Sequence, residues 1–405
     1  MFDAKKIKAD FPILSTKVHG HDLVYLDSGA TAQKPSSVLL KIEQLYNSLN
    51  ANIHRGVHHL SEATTQEYEA AREKVRSFIG AESCAEIIFT AGATSAINTV
   101  AYSFAERFIG RGDNVVVSEM EHHSNLVPWQ MICQMKGAEL RMLPFDDNGE
   151  IIYDKLDELV DERTRILSIT QASNVLGTMP DLKRIIDFCH NHGVPVMVDG
   201  CQGVVHQKVN VVDMDCDFYA FSGHKLYGPT GIGVLYGKKS LLEDMPPFMG
   251  GGDMVSTVSF EKTTYAELPL KFEAGTSNYI GAIALGAAID YVNALDRDAV
   301  ARHEQALCDY ALERLSMIEG LRIYGQSKER CSIVSFNIDG VHPYDLGMII
   351  DKLGVAVRTG THCAEPVMQH FGVTGTVRAS FGLYNTLEDV DKLYEAVERA
   401  ASMLR

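Results

Sequence analysis

Residues 221–237 read FSGHKLYGPTGIGVLYG, and Lys225 stands there between two apolar runs. A partly desolvated lysine can lose its proton, and a neutral ε-amine condenses with an aldehyde to a Schiff base. Asp199 ends the apolar run VPVMVD. A carboxylate at the end of a buried strand needs a cation or donors beside it, and a protonated pyridine nitrogen would serve. Gly92, Ala93 and Thr94 lie just before a helix-like segment, where small residues let backbone N–H groups approach an anion. Ser222 and His224 add donors. His122 follows a neighbouring strand, where an imidazole can stack on a ring and move protons. Asn174 and Gln202 are neutral donors suited to a phenolic oxygen.

Taken singly, each of these has an ordinary structural explanation: a helix N-cap, a salt bridge, a surface lysine. The ordered set Thr94, His122, Asn174, Asp199, Gln202, Ser222, His224, Lys225 is much more specific than any member. A Schiff-base lysine, an aspartate for a pyridinium nitrogen and a phosphate cup together describe a pyridoxal 5'-phosphate site. The chain carries neither the G-x-x-x-x-G-K-[ST] loop of nucleotide triphosphatases nor a G-x-G-x-x-G dinucleotide fingerprint.

The elements that must hold these residues are short apolar runs alternating with helical patterns. EIIFT (86–90), NVVVSEM (114–120), RILSIT (165–170), VPVMVD (194–199), FYAFSG and GIGVLYG read as strands. Near-continuous apolar strands separated by helices predict a mostly parallel sheet covered on both faces. The two close runs around Lys225 allow one antiparallel strand. In such sheets ligands sit beyond the carboxyl ends of the strands, and the polar residues above follow those ends. Long helical patterns dominate from about 280, then strands return at CSIVSFNI and VAVRT before a last helix. The expected organisation is an N-terminal segment (1–20) packing with the small domain, a large cofactor-binding domain (21–294) and a smaller C-terminal α/β domain (295–405).

With 405 residues, 46% of them hydrophobic, the chain can bury a large core. A net charge of -16 argues against nucleic-acid and anionic-membrane partners. The eight cysteines are dispersed, with no C-x-x-C and no zinc-ligand spacing, which predicts a reduced, cytoplasmic protein without a metal site. No apolar run of membrane-spanning length and no signal-like start is present.

The stretches YLDSGATAQKP (25–35), EHHSNLVPWQ (121–130), DGCQGVVH, DFYAFSGHKLYGPTGIGVLYGK, FEAGTSN (272–278) and RTGTHCAEP (358–366) resemble the SufS/CsdA-type (group II) cysteine desulfurases of the class V aminotransferase family, which are fold-type I PLP enzymes. The resemblance covers nearly the whole chain. It implies a homodimer with the site near the subunit boundary, L-cysteine as substrate and a SufE- or SufU-like sulfur acceptor serving iron–sulfur assembly. It also singles out Cys363 as the nucleophile. Gly360 and Pro366 bracket that residue as a loop, and Arg358 and His362 are nearby cations that could lower the thiol pKa. A guanidinium can grip a carboxylate through two parallel hydrogen bonds, and the resemblance assigns Arg378 to the substrate carboxylate. Arg358, Asn174, His54 and Arg55 complete the substrate side, and Thr276 would reach the phosphate of the partner subunit's cofactor.

On this reading L-cysteine displaces Lys225, the freed lysine acts as base with His122 assisting, and the Cys363 thiolate takes the sulfur as alanine leaves. Selenocysteine lyase activity, a class V aminotransferase with an incidental Cys363, and a non-catalytic sulfur-relay scaffold are the alternatives. Thr361 replaces the first histidine of the family's Gly-His-His-Cys loop, Met249 stands where some relatives carry an acid, and Ser95 where others carry Glu. These departures bear on dimer communication and acceptor choice rather than on cofactor binding.

Overall fold

The computed structural model describes residues 2–405. Seven strands form the main sheet: β1 (Ile87–Thr90), β2 (Asn114–Ser118), β3 (Glu139–Leu143), β4 (Thr164–Thr170), β5 (Val196–Asp199), β6 (Phe218–Ser222) and β7 (Gly233–Gly237). Their spatial order is β1-β7-β6-β5-β4-β2-β3. The run from β6 to β3 is parallel, and β7 is antiparallel to both β6 and β1. The antiparallel strand anticipated beside Lys225 is therefore β7.

Both faces of the sheet are covered, so the strands alternate between two cores while staying apolar throughout. Val115 and Val117 of β2 join the core under α1 (Ala93–Phe108), while Val116 joins the core under α2 (Leu182–Asn191). The helix after β2 starts at Val127, where Pro128 fits the first turn because no N–H is required there. Helix α3 (Tyr279–Asn293) is apolar on almost every side and is buried accordingly against the helices Ser36–Ser48 and His59–Ile79.

A second core forms around α4 (Arg297–Ser316), the helix Pro343–Lys352, α6 (Leu387–Leu404) and a four-stranded antiparallel sheet, while α5 (Glu365–Phe371) packs into the first core through Val367 and Met368. Its strands are β8 (Leu321–Tyr324), β9 (Ile333–Ile338), β10 (Arg358–Gly360) and β11 (Thr376–Ser380), in the order β8-β9-β11-β10. Val24 and Leu26 belong to this core although they come early in the chain, because Val24–Tyr25 pairs in parallel with Val355–Ala356. The first residues are pinned to it too. Lys8 reaches Asp389 at 3.1 Å, and Asp389 also completes the capping box of α6 with Thr386. Phe11 packs edge-on against Tyr291 and Tyr384, tying the N-terminal segment to the first core as well.

Among the described residues no helix is long and apolar enough to cross a membrane, and no cluster of His, Cys, Asp and Glu could hold a metal.

Candidate active site

The carboxyl ends of the parallel strands open onto a cavity of about 150 Å³. Of the residues singled out from sequence, Thr94, His122, Asn174, Asp199, Ser222, His224, Lys225, Arg358 and Arg378 line it. They arrive from both cores, so the site exists only where the two sheets face each other.

The anion end is built on the start of α1. Gly92 is its N-cap, and the Ala93 N–H donates to Ser222 Oγ at 2.8 Å. The remaining first-turn N–H groups of α1 are free donors beside the helix's positive end. Thr94 Oγ1 lies 2.7 Å from Ser124 Oγ, which is also 3.0 Å from His122 Nδ1. A side chain at Gly233 would strike Gly92 Cα at 2.5 Å, so β7 needs glycine there to run behind the cup.

At the other end Asp199 is 3% exposed. Its Oδ1 accepts the Cys201 N–H at 3.0 Å, and among the described residues no cation pairs with it. A buried, unpaired carboxylate facing a cavity is set to receive a cationic ring N–H.

His122 stands between these ends. Burial first, and then the neighbouring Lys225 charge, push its pKa down to about 4. The imidazole is therefore neutral near pH 7. Its Nδ1 accepts the Ser124 N–H at 3.1 Å, which leaves the proton on Nε2. His224 is likewise pushed down to about 4 by burial, Lys225 and Lys34. Lys34 had no part in the sequence reading. Its Nζ donates to the His224 carbonyl at 2.9 Å, clamping the turn that carries Lys225, and burial lowers its own pKa to about 8.

Arg378 is 2% exposed. Its Nη1 donates to the Asn174 carbonyl at 2.9 Å and its Nη2 to Asp27 Oδ1 at 3.0 Å, while its buried Nε has no acceptor. Asp27, also missed from sequence, comes from the segment that crosses between the two cores. Burial raises its pKa against the opposing pull of Arg378.

Cys363 lies between β10 and α5 and is half-buried, with its neighbour His362 lining the cavity. Both residues have left-handed backbone, φ 55° and 57°. Such conformations persist for non-glycine residues where surrounding bonds hold them. Here the His362 carbonyl accepts Asn174 Nδ2 at 2.8 Å and the Cys363 carbonyl accepts the His123 N–H at 2.8 Å. The expectation that His362 supplies a cation to the thiol is corrected. Burial, with Arg378 and Arg358 nearby, pushes His362 down to about 3, so it is neutral, with Nε2 2.9 Å from Thr376 Oγ1.

Five expected residues do not line the cavity of one chain: Cys363, which directly follows the lining residue His362, and four others. Gln202 turns away and donates to the Gly29 carbonyl at 2.8 Å. His54 and Arg55 are exposed, Arg55 pairing with Asp253 at 2.6 Å. Thr276 is exposed in a separate cleft with Phe248 and Met249.

The model of the aminotransferase class-V family matches residues 24–393. The chain belongs to this family. Within it the chain groups with the cysteine desulfurases. It is 48% identical over 404 residues to the cysteine desulfurase of Pectobacterium atrosepticum, covering 100% of this chain and 99% of that one. It is 49% identical over 397 residues to a probable cysteine desulfurase of Halalkalibacterium halodurans, covering 98% of each. The solved structure of the cysteine desulfurase CsdA of Escherichia coli superposes with a TM-score of 0.93 at 44% identity, covering 100% of both chains. The mixed seven-stranded sheet with its second α/β unit is thus the fold-type I architecture. The residues present fit pyridoxal phosphate, the cofactor of this class V group. Lys225 would hold its aldehyde carbon, Asp199 its ring nitrogen, and the α1 N-terminus with Thr94 and Ser222 its phosphate.

Proposed function

We propose that the chain is an L-cysteine desulfurase that transfers sulfur from L-cysteine to Cys363, leaving a persulfide and releasing L-alanine. One observation carries this reading. A half-buried thiol, Cys363, sits on a loop of left-handed backbone directly after His362, which lines the same cavity as Lys225, Asp199 and His122.

Bound pyridoxal phosphate supplies the electron sink that lets the substrate Cα give up its proton. The chain's own residues do the rest. The free Nε of Arg378 grips the substrate carboxylate, with Asp27 and the Asn174 carbonyl holding the guanidinium in place. The Lys225 amine takes the Cα proton and returns it. Neutral His122, with its proton on Nε2, can give and recover a proton at the substrate without carrying charge into the site. The Cys363 thiolate attacks the substrate Sγ; the Cβ–Sγ bond breaks as the S–S bond forms. L-cysteine and a thiol become L-alanine and a persulfide, with no outside oxidant or reductant.

The reading extends to a homodimer in which His54, Arg55 and Thr276 serve the partner's site. Large apolar residues left exposed, Val57 at 98% two residues after Arg55 and Phe260 at 109% between the paired strands Val255–Val258 and Thr263–Tyr265, support it. A sulfur-accepting protein of the SufE or SufU kind, feeding iron–sulfur cluster assembly, would then discharge Cys363. Eight unpaired cysteines support a reducing, cytoplasmic setting. The 1–20, 21–294 and 295–405 division is proposed as the domain plan, supported by the separate core around α4 and α6.

The test is to incubate the cofactor-loaded protein with L-cysteine and measure alanine, sulfide and persulfide. Equal alanine and sulfur products, lost in Cys363→Ser with cofactor absorbance retained, are expected. Alanine with no sulfur product, or full turnover in Cys363→Ser, refutes the reading. Parallel turnover on L-selenocysteine separates desulfurase from lyase.

A further inference from the structure

We infer that Glu365 is a positioning residue for Cys363, forming with Thr361 and His123 a clip that closes the thiol loop onto the large sheet. The inference rests on the reading of Cys363 as the group that takes the sulfur.

Thr361 lies two residues before Cys363 and Glu365 two residues after it. Thr361 Oγ1 donates to Glu365 Oε1 at 3.0 Å, so the loop is stapled across its own base. The Glu365 carboxylate also meets Nε2 of the His123 imidazole in direct contact. His123 follows β2 of the large sheet, beside the cavity residue His122, and its backbone N–H is the group that holds the Cys363 carbonyl. His123 is thus anchored to the thiol loop twice, by main chain and by side chain. The side-chain anchor reaches the far end of the loop from the main-chain one, so together they restrain rotation as well as translation.

Restraint is needed because His362 and Cys363 both occupy the left-handed region, which other conformations of a free loop would relieve. The thiolate must reach a substrate sulfur placed independently by Arg378, and a loop that wanders loses the proximity on which the attack depends. The pair is half-exposed, with side-chain exposures of 35% for His123 and 48% for Glu365, so replacing the carboxylate opens no cavity in a core. Its effect is expected on the reaction step, not on substrate binding.

The experiment compares Glu365→Ala and Glu365→Gln with the wild-type holoenzyme. In Glu365→Ala, kcat for L-cysteine falls about tenfold while KM moves by less than about twofold. Iodoacetamide, followed by peptide mapping, modifies Cys363 several-fold faster as the loop is released. Glu365→Gln keeps an oxygen acceptor for Thr361 and sets an amide N–H against His123 Nε2, which a neutral imidazole accepts by carrying its proton on Nδ1, and restores most of both values. Wild-type alkylation and kcat in Glu365→Ala overturn the clip, as does a Gln variant no better than Ala. If the wild-type protein makes no alanine, the functional reading fails on its own. The alkylation comparison then still decides the clip, faster modification supporting it and an unchanged rate refuting it.

Discussion

Arg358 and Arg378 stand directly opposite each other on the antiparallel strands β10 and β11. Like charges at such a position repel, and both side chains line the cavity. Asp27 answers only one nitrogen of Arg378, so a second anion placed between the guanidiniums is favoured. Arg378→Lys keeps the charge but loses the planar fork. A lost charge-assisted hydrogen bond costs about 2 kcal/mol, so kcat/KM for L-cysteine should fall ~30-fold, mostly through KM. Steady-state kinetics checks this, and an unchanged KM would remove Arg378 from substrate binding.

Ser124 bridges the anion cup and the imidazole. Ser124→Ala removes the hydroxyl shared by Thr94 and His122 but leaves the backbone N–H that sets the His122 tautomer. Cofactor retention should weaken by about fivefold, the equivalent of one ordinary hydrogen bond near 1 kcal/mol. At saturating cofactor kcat should stay close to wild type. Titration of the apoprotein with pyridoxal phosphate measures the first quantity, and turnover the second.

Arg72 and Glu273 form a buried ion pair, Nη1 to Oε1 at 2.6 Å and Nη2 to Oε2 at 3.0 Å. Glu273 also accepts the Phe89 N–H at 2.7 Å and the Tyr68 hydroxyl at 2.9 Å, fastening the segment before Thr276 to β1. Glu273→Ala leaves the buried guanidinium with Glu69 as its one remaining carboxylate and should cost about 3 kcal/mol in chemical denaturation, with Glu273→Gln losing less. Equal stability of wild type and Glu273→Ala would contradict this account.

His362 makes the fold acid-sensitive. Its folded pKa, about 3, lies below the ordinary value of 6.5. Between those values the unfolded chain binds the proton and the folded chain does not, so stability rises with pH across that window and is lost on acidification. His122 and His224, each at about 4, act in the same direction. Glu121 opposes them on the alkaline side. Burial raises it to about 8, so its contribution is present in acid and fades as pH climbs toward that value. Urea denaturation at about pH 5 and about pH 7 should show a smaller pH slope in His362→Gln than in wild type. An identical slope would mean His362 is protonated in the folded protein.

The strand runs were legible because burial on both faces demands near-continuous apolar residues, and the glycine and polar punctuation after each run marked the cavity edge. Lys225, Asp199, His122 and Thr94 could be found this way, since each follows a strand locally. Lys34, Asp27 and Ser124 could not. Lys34 reads as a surface lysine until the His224 carbonyl is seen above it, and Asp27 reads as a turn residue until Arg378, 351 positions away, is placed beside it. Gln202 reads as a donor for a phenolic oxygen, yet its amide donates to the Gly29 carbonyl, a partner 173 positions away that only the fold brings beside it.

From sequence alone came the alternation of strands and helices, the order of the polar residues along the sheet edge, and the thiol loop's position after a late strand. These are local properties, written in periodicity and in the residues that end each element. Tertiary structure decided which groups face one another and which carry charge: Arg358 opposite Arg378, His123 against Cys363 and Glu365, and a neutral His362 where a cation was expected. Protonation follows burial and the field of neighbours, and both are set by segments of the two cores meeting across hundreds of residues, which no short stretch of chain encodes.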